Sequence, residues 1–374
     1  MLKAAFLGVR HPHFFVRQEI LQSVDDVQIL GFYEEEQSLA RRIAQESGLK
    51  QFAAPEALLE GEPDLVIIEA LDVDVPRLAS LAAPSARALL LEKPGAPSRT
   101  AMEQLVQEMA RHDISVEVGY ELHYSSSMNM CRQVLAAGAI GQVTLARFHC
   151  GCPVGCGDEL WQSVPGDMGG VVFTEACHMI ELILDTLGMP IEVIALVTKL
   201  PLGTSVESEF HKRDLFSPPG VRSRHEVGEL MYEDVGAAIL RYPDKLAVLD
   251  VTAWEPTDWV EGWRLEYFGT DGCLQVIPNP PALDLLLRRD VAGWPAGVSQ
   301  YRGPRAAGAI SLTPDATYEN ELHQLLDRLR TQAAASQEGL RHALNVMRVL
   351  DAIYASSGSG GAAVPLGASS SGTR

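Results

Sequence analysis

"AAFLGVRHPHFFVRQ", residues 4–18, is the stretch on which the fold turns. It opens as an apolar strand, bends at Gly8 and continues as a helix, since the apolar residues of "HFFVRQEILQSV" recur at helical spacing. A strand that turns on glycine into a helix begins a dinucleotide-binding βα unit, where backbone N–H groups and the helix N-terminus meet a pyrophosphate. The usual pattern G-x-G-x-x-G is here Gly8-Val9-Arg10-His11-Pro12-His13, with only the first glycine kept. Pro12 suits an early helical position, where its missing N–H costs nothing. Arg10 reads either as a charge-assisted phosphate contact that compensates for the lost glycines or as an ordinary loop arginine. The two histidines read either as ligands or as capping and packing residues.

Outward from this turn, strands and helices alternate at short spacing. "VQILGFYEEE" is a strand ending in acids, and "EQSLARRIAQESGL" a helix with Gly48 near its end. "PDLVIIEAL" and "RALLLEKP" are the continuous apolar runs of strands buried on both faces of a parallel sheet. "VPRLASLAA" and "SRTAMEQLVQEMARHD" are helical, the latter with Ser98 or Thr100 as N-cap, and "SVEVGY" is a strand. The alternation up to about residue 120 predicts a Rossmann-type doubly wound parallel sheet, an α/β domain.

The rhythm then changes. "SMNMCRQVLAAGAIGQ" is a helix and "VTLARFHC" a strand, and Gly169-Gly170 lead into a single helix, "VVFTEACHMIELILDTLG". "EVIALVTKL", "DVGAAILRY", "LAVLDVTAW", "RLEYFGT" and "GCLQVI" follow as strands without intervening helices, so the second domain is α+β with a large, mostly antiparallel open sheet. A polar, Pro-rich loop is expected over 201–230, with helices at 317–330 and 336–355. The domains are accordingly 1–120 and 121–355, followed by a flexible Gly/Ser-rich tail, 356–374.

Composition agrees with this division. A chain of 374 residues exceeds one ordinary core, and 47% hydrophobic residues supply two. No apolar run is long enough to span a membrane. The N-terminus reads as a first strand, not a signal peptide, so a cytoplasmic protein is expected. A net charge of −19 argues against nucleic acid as a partner. Three of the six cysteines crowd into "HCGCPVGC" as Cys150, Cys152 and Cys156. Their spacing matches no zinc module and lacks a second ligand pair, which favours packing over metal.

Candidate chemistry sits at strand ends and on one helix. Glu34 closes the second strand where a ribose-binding acid belongs, and its charge would repel a 2′-phosphate, favouring NAD over NADP. "LLLEKPGAPS" puts Glu92, Lys93 and Pro94 at the carboxyl end of a buried parallel strand, where ligands bind in open α/β sheets. Pro94 fixes the local backbone, and an X-Pro bond admits the cis isomer. On the helix after the double glycine, Thr174, Glu175, His178 and Glu181 share a face by spacing. Histidine is the natural proton carrier near neutrality; the competing reading is a core histidine satisfied by a carbonyl. Glu175 and His178 also have a metal-ligand spacing, but a second such helix is missing, so no metal is expected.

These pieces together resemble the Gfo/Idh/MocA family of NAD(P)-dependent oxidoreductases, which act mainly on sugars, inositols and related polyols. The likeness runs through "EKP", "VGYELHYSSSMNMCRQVLAAGAIGQVTLARF", the "GG…H-x-x-E" helix, "YEDVGAAILRYPDKLAVLDVTAW", "LEYFGTDGCLQV" and "LDAIYASSGSG". The resemblance implies that Lys93 bonds the reacting hydroxyl and the cofactor, while His178 is the acid/base. It also implies cofactor contacts from Gly8, Arg10, His11, Pro12, Glu34, Leu71, Glu92, Lys93 and Trp161, substrate contacts from Tyr120, His123 and His178, and a homodimer or homotetramer. Several positions depart from the family pattern: Thr174 stands where an aspartate is usual, so Glu175 substitutes or the triad is incomplete. Val75, His123 and Gln162 depart as well. The expected activity is NAD-dependent hydride transfer on a sugar, an inositol-like polyol or a related hydroxy compound. Two alternatives share the fold: a catalytically impaired regulatory protein that binds dinucleotide or sugar, and an NAD-dependent glycosidase.

Overall fold

The structure is a computed structural model that describes residues 1–11, 13–151, 170–199, 206–210, 223–227, 232–253, 263–291, 293–302 and 316–367. Five parallel strands come first: β1 (Leu2–Val9), β2 (Val27–Tyr33), β3 (Leu65–Glu69), β4 (Ala88–Leu91) and β5 (Ser115–Val118), ordered β2-β1-β3-β4-β5. Helices α1 (His13–Gln22), α2 (Gln37–Ser47), α3 (Pro55–Leu59), α4 (Val75–Ala82) and α5 (Arg99–Met109) connect them. Successive strand residues face opposite layers. Ala4, Phe6, Ile67 and Leu90 pack with α1 and α2, while Ala5, Leu7, Val66, Ile68 and Leu89 pack with α4 and α5. Both faces are covered, as the apolar runs require.

Gly8, next to last in β1, has φ +73°, and a Cβ there would stand 2.7 Å from the Ala70 Cβ, so the chain needs glycine there for backbone and for space. After β5 come a 3-10 turn (Glu121–Tyr124), α6 (Ser126–Ala136), β6 (Val143–Gly151), α7 (Val171–Thr174) and α8 (Ala176–Leu187). The single helix expected over 171–188 is therefore two, broken at Glu175. Gly170 caps α7 at a point where any Cβ would collide with the Glu233 backbone.

The second sheet adds β7 (Glu192–Thr198), β10 (Val235–Arg241), β11 (Leu246–Thr252), β12 (Arg264–Gly269), β13 (Gly272–Ile277), β14 (Ala282–Leu287), β15 (Gly297–Arg302) and β16 (Val364–Pro365). A separate antiparallel pair, β8 (Val206–Phe210) and β9 (Ser223–Val227), lies within the segment expected to be loop. The nine strands run β15-β14-β13-β12-β6-β11-β10-β7-β16, and β6 with β11 is the parallel pair among otherwise antiparallel neighbours. Strands β14 and β15 were not foreseen, because "ALDLLL" lacks the alternation that separates strand from helix.

The chain then returns to the first sheet. Helix α9 (Ala316–Arg330) lays Tyr318, Leu322, Leu325, Leu326 and Leu329 against the α1 layer, although the sequence reading grouped it with the second domain. Its stripe repeats at i, i+4, i+7, i+8 and i+11, and the apolar face of the first sheet is what it covers. Helix α10 (Glu338–Gly358) bridges α5 and β5 on one side and α8 and β7 on the other. The segment expected to be a flexible tail supplies the end of α10 and strand β16, which pairs with β7 and is held further by the Leu366 N–H on the Ile191 carbonyl. Residues 368–374 lie outside the described residues. No described helix is long and apolar enough to cross a membrane.

Candidate active site

Lys93 and His178 lie near enough for the lysine charge to act on the imidazole, where the carboxyl ends of the first sheet face α7 and α8. Lys93 stands two residues past the end of β4, joined to Pro94 by a cis peptide bond. Its side chain is buried, and its Nζ donates to the Thr174 carbonyl at 2.8 Å. The break between α7 and α8 explains the vacancy at that carbonyl. In an unbroken helix the His178 N–H would bond it; here that N–H bonds the Glu175 carbonyl instead, at 3.2 Å, leaving the Thr174 carbonyl to the lysine and to the Cys177 thiol, which donates to it at 3.2 Å. Burial alone would lower the Lys93 pKa, but Glu175, with Cys177, Glu92 and Glu121, raises it above the ordinary lysine value. The amine is a held cation.

His178 is buried, its Nδ1 lies 3.6 Å from Glu121 Oε2, and the rings of Tyr120 and Trp263 stand 5.8 Å and 5.7 Å from its own. Burial first, and the Lys93 charge second, hold its pKa well below the ordinary histidine range, so the imidazole is neutral. Thr174 is buried with its hydroxyl on the Gly170 carbonyl at 3.1 Å. Glu175 is buried with Oε2 accepting no hydrogen bond among the described residues. Because Glu175 occupies the break, the shared helical face assumed from spacing holds for His178 and Glu181 but not for Thr174.

His123 and Glu181 belong to a neighbouring cavity of about 400 Å³, lined also by Tyr120, His342, Glu117 and Arg328. His123 Nδ1 is 2.8 Å and His342 Nε2 3.2 Å from Glu181 Oε1. Burial pushes the Glu181 carboxyl up, yet the two imidazoles outweigh it and bring its pKa down to about 2. Tyr120 therefore forms a wall: one side lines this cavity and its ring edge meets His178.

At the β1–α1 turn the Val9 N–H bonds Glu34 Oε2 at 3.0 Å and the Glu36 N–H bonds Glu34 Oε1 at 3.1 Å. The His11 N–H reaches the Glu69 carbonyl, the His13 N–H reaches His11 Nδ1, and the Phe14 N–H reaches the His11 carbonyl. Arg10 is half-buried beside Glu34. Leu71 is buried and its carbonyl accepts the Asp74 N–H at the start of α4. Val75 is buried in that helix. Pro12, Cys152, Cys156, Trp161 and Gln162 lie outside the described residues. Cys150 is buried in β6.

The sequence reading missed the charges under this turn. Arg17 is fully buried; its Nη1 lies 2.5 Å from Glu69 Oε1 and 3.1 Å from Glu92 Oε2, and its Nη2 is 2.9 Å from Glu321 Oε2. His13 Nδ1 is 3.1 Å from Glu92 Oε2. Burial pushes Glu69 well above the ordinary carboxyl range, whereas at Glu92 His11, His13 and Arg17 overcome the same burial and hold it well below. An arginine inside "FFVRQEIL" and a glutamate ending "LVIIE" were the available signals. Trp263, buried with its indole N–H on the Gly151 carbonyl, had none.

Residues 128–275 match the GFO/IDH/MocA C-terminal domain family. Solved structures share the whole fold. An Agrobacterium radiobacter oxidoreductase in complex with NAD+, L-tartaric acid and magnesium superposes with a TM-score of 0.77 at 17% identity, covering 98% of this chain and 99% of that one. Levoglucosan dehydrogenase in complex with NADH and levoglucosan gives 0.75 at 14% identity, with coverage of 98% and 99%. The WlbA dehydrogenase of Bordetella pertussis, in complex with NADH and UDP-GlcNAcA, gives 0.72 at 15%, again with 98% and 99%.

Proposed function

We propose that the protein is an NAD-dependent oxidoreductase moving hydride between nicotinamide and the CH–OH carbon of a sugar, an inositol-like polyol or a related hydroxy compound. The observation that carries this reading is the Lys93 charge acting on the His178 imidazole, one residue from the first sheet and one from α8. The solved structures of the same fold bound to NAD+ or NADH support it.

The residues present fit such a cofactor, though through altered contacts. Each Glu34 oxygen accepts one backbone N–H and retains a lone pair, so the carboxylate can still take the ribose hydroxyls, and it disfavours a 2′-phosphate. The amides of Val9, His11, His13 and Phe14 are engaged within the chain, so Arg10 takes over at the diphosphate. Gly8, His11, Pro12, Leu71, Glu92 and Trp161 are the other residues assigned to this side. When bound, nicotinamide supplies the hydride acceptor or donor.

Lys93 donates a hydrogen bond to the reacting hydroxyl and favours its ionised form, and His178 takes or returns the proton. Tyr120 and His123 border the substrate. Thr174 contributes its carbonyl to Lys93, and Glu175 contributes the negative charge that an aspartate would have carried.

The test is nicotinamide absorbance across a panel of sugars, inositols and polyols. Turnover with at least one member is expected, falling about 10²- to 10⁴-fold in Lys93→Met and His178→Asn. A second reading, a sensor that binds without turnover, draws on the engaged loop amides; it predicts ligand binding with no absorbance change on any member. We further propose a homodimer or homotetramer formed through the open sheet, whose outward face exposes Leu196, Ile239, Leu246 and Val298.

A further inference from the structure

Under the β1–α1 turn, side chains from three strand ends converge. His11 follows β1, His13 opens α1, Glu69 ends β3 and Glu92 follows β4. Each offers one donor atom, and the four atoms lie within 4.8 Å of one another. All four residues are buried. We propose that they form a site for a divalent transition-metal cation, with one ring nitrogen from each histidine and one oxygen from each carboxylate as ligands.

Four observations support the site. Four donors about 2 Å from one ion in a tetrahedral arrangement stand about 3.3 Å apart, so from a spread of 4.8 Å the cluster needs a contraction of at most about 1.5 Å. Two imidazoles with two carboxylates form a borderline donor set, suited to zinc and its first-row neighbours more than to calcium or magnesium. Arg17 binds one oxygen of each carboxylate, Glu69 Oε1 and Glu92 Oε2. The other oxygens, Glu69 Oε2 and Glu92 Oε1, accept no hydrogen bond among the described residues although both side chains are at most 1% exposed. They face the histidine: Glu92 Oε1 is 3.3 Å from His11 Nε2, and Glu69 Oε2 is 4.0 Å from His11 Nδ1. Buried carboxylate oxygens without donors are costly, and a cation between them satisfies both.

Charge counting agrees. In the loaded state, with Glu69, Glu92 and Glu321 ionised and the histidines neutral, Arg17 and one dication balance the three carboxylates. Lys93, nearby, is already faced by Glu175. Loading exchanges the 3.1 Å contact between His13 Nδ1 and Glu92 for bonds from both to the ion. With four protein ligands and no exposure, the site is closed and ties the turn to β3 and β4; it has no part in the hydride chemistry. His13 stands where the third glycine of a phosphate loop would be, so the glycines' replacement has a physical reason: the turn is clamped from below.

The test uses the whole protein, produced in medium supplemented with Zn²⁺ because buried ligands load during folding. Elemental analysis after desalting should find about one zinc per chain, and production with Co²⁺ should give visible d–d bands. A His11→Ala/His13→Ala double variant should lose both signals. The wild-type readouts need no variant to fold: substoichiometric metal with every one of Zn²⁺, Co²⁺ and Mn²⁺, in protein with a native circular dichroism spectrum, overturns the site. So does a folded double variant that binds as much metal as the wild type. Neither result depends on cofactor binding or turnover.

Discussion

Lys93 takes its orientation from a carbonyl that a broken helix frees from its usual backbone N–H, and this separates the roles of its neighbours. The Thr174 hydroxyl donates to the Gly170 carbonyl, while its backbone carbonyl holds the lysine. Thr174→Ala should therefore cost about 1 kcal/mol of stability in urea unfolding yet leave kcat within a few-fold. A loss of activity as large as that of Lys93→Met would mean that the hydroxyl itself contacts substrate. Glu181 makes a pH prediction. Its folded pKa of about 2 lies below the ordinary value of 4.5, so its stabilisation is present above pH 4.5 and is lost as pH falls towards 2. His342 is shifted upward from 6.5, so its share is present below 6.5 and is lost as pH rises through its folded value. The pair stabilises most between those two values, by about 3 kcal/mol for Glu181. Thermal melts of Glu181→Gln should fall furthest below wild type in that window and converge with it at strongly acid pH.

At the scale of elements, α1 shows what periodicity conveys and what it omits. The spacing of its apolar residues gives the helix, but Arg17 is buried too, because α9, some 300 residues on, packs over it. Nothing local to "HFFVRQEIL" announces that second layer. The same limit applies to β14, whose leucines suit either element, and to the α7–α8 break, which depends on packing against Lys93 and Glu233. By contrast, the five parallel strands and the order of motifs were legible, because burial on both faces leaves continuous apolar runs in the chain. Lys93 and His178 were legible from strand-end and helix positions, whereas the Arg17 cluster was visible only as charges misplaced in apolar runs. Arg17→Met should destabilise the fold by about 3–5 kcal/mol in urea unfolding, since it leaves Glu69, Glu92 and Glu321 buried without their shared partner. A change under about 1 kcal/mol would mean that the three carboxyls are neutral without it.

Across the whole molecule, α10 packs on β5 of the first sheet and β7 of the second, and the strand end that carries Lys93 reaches α7 through the Thr174 carbonyl. The outer face of the second sheet is left open, with Leu196 and Val298 61% and 69% exposed. Leu196→Arg with Val298→Arg should shift light-scattering mass toward the monomer without lowering the melting temperature of the protomer; an unchanged mass would place any interface elsewhere. The account as a whole rests on a dinucleotide bound beside Glu34 and Arg10. Calorimetric titration of the purified protein with NAD+ and with NADP+ tests this most directly. Saturable heat with NAD+, weaker with NADP+ and reduced at least about tenfold in affinity by Arg10→Ala, is the predicted result; neither heat nor thermal stabilisation with either nucleotide would contradict it.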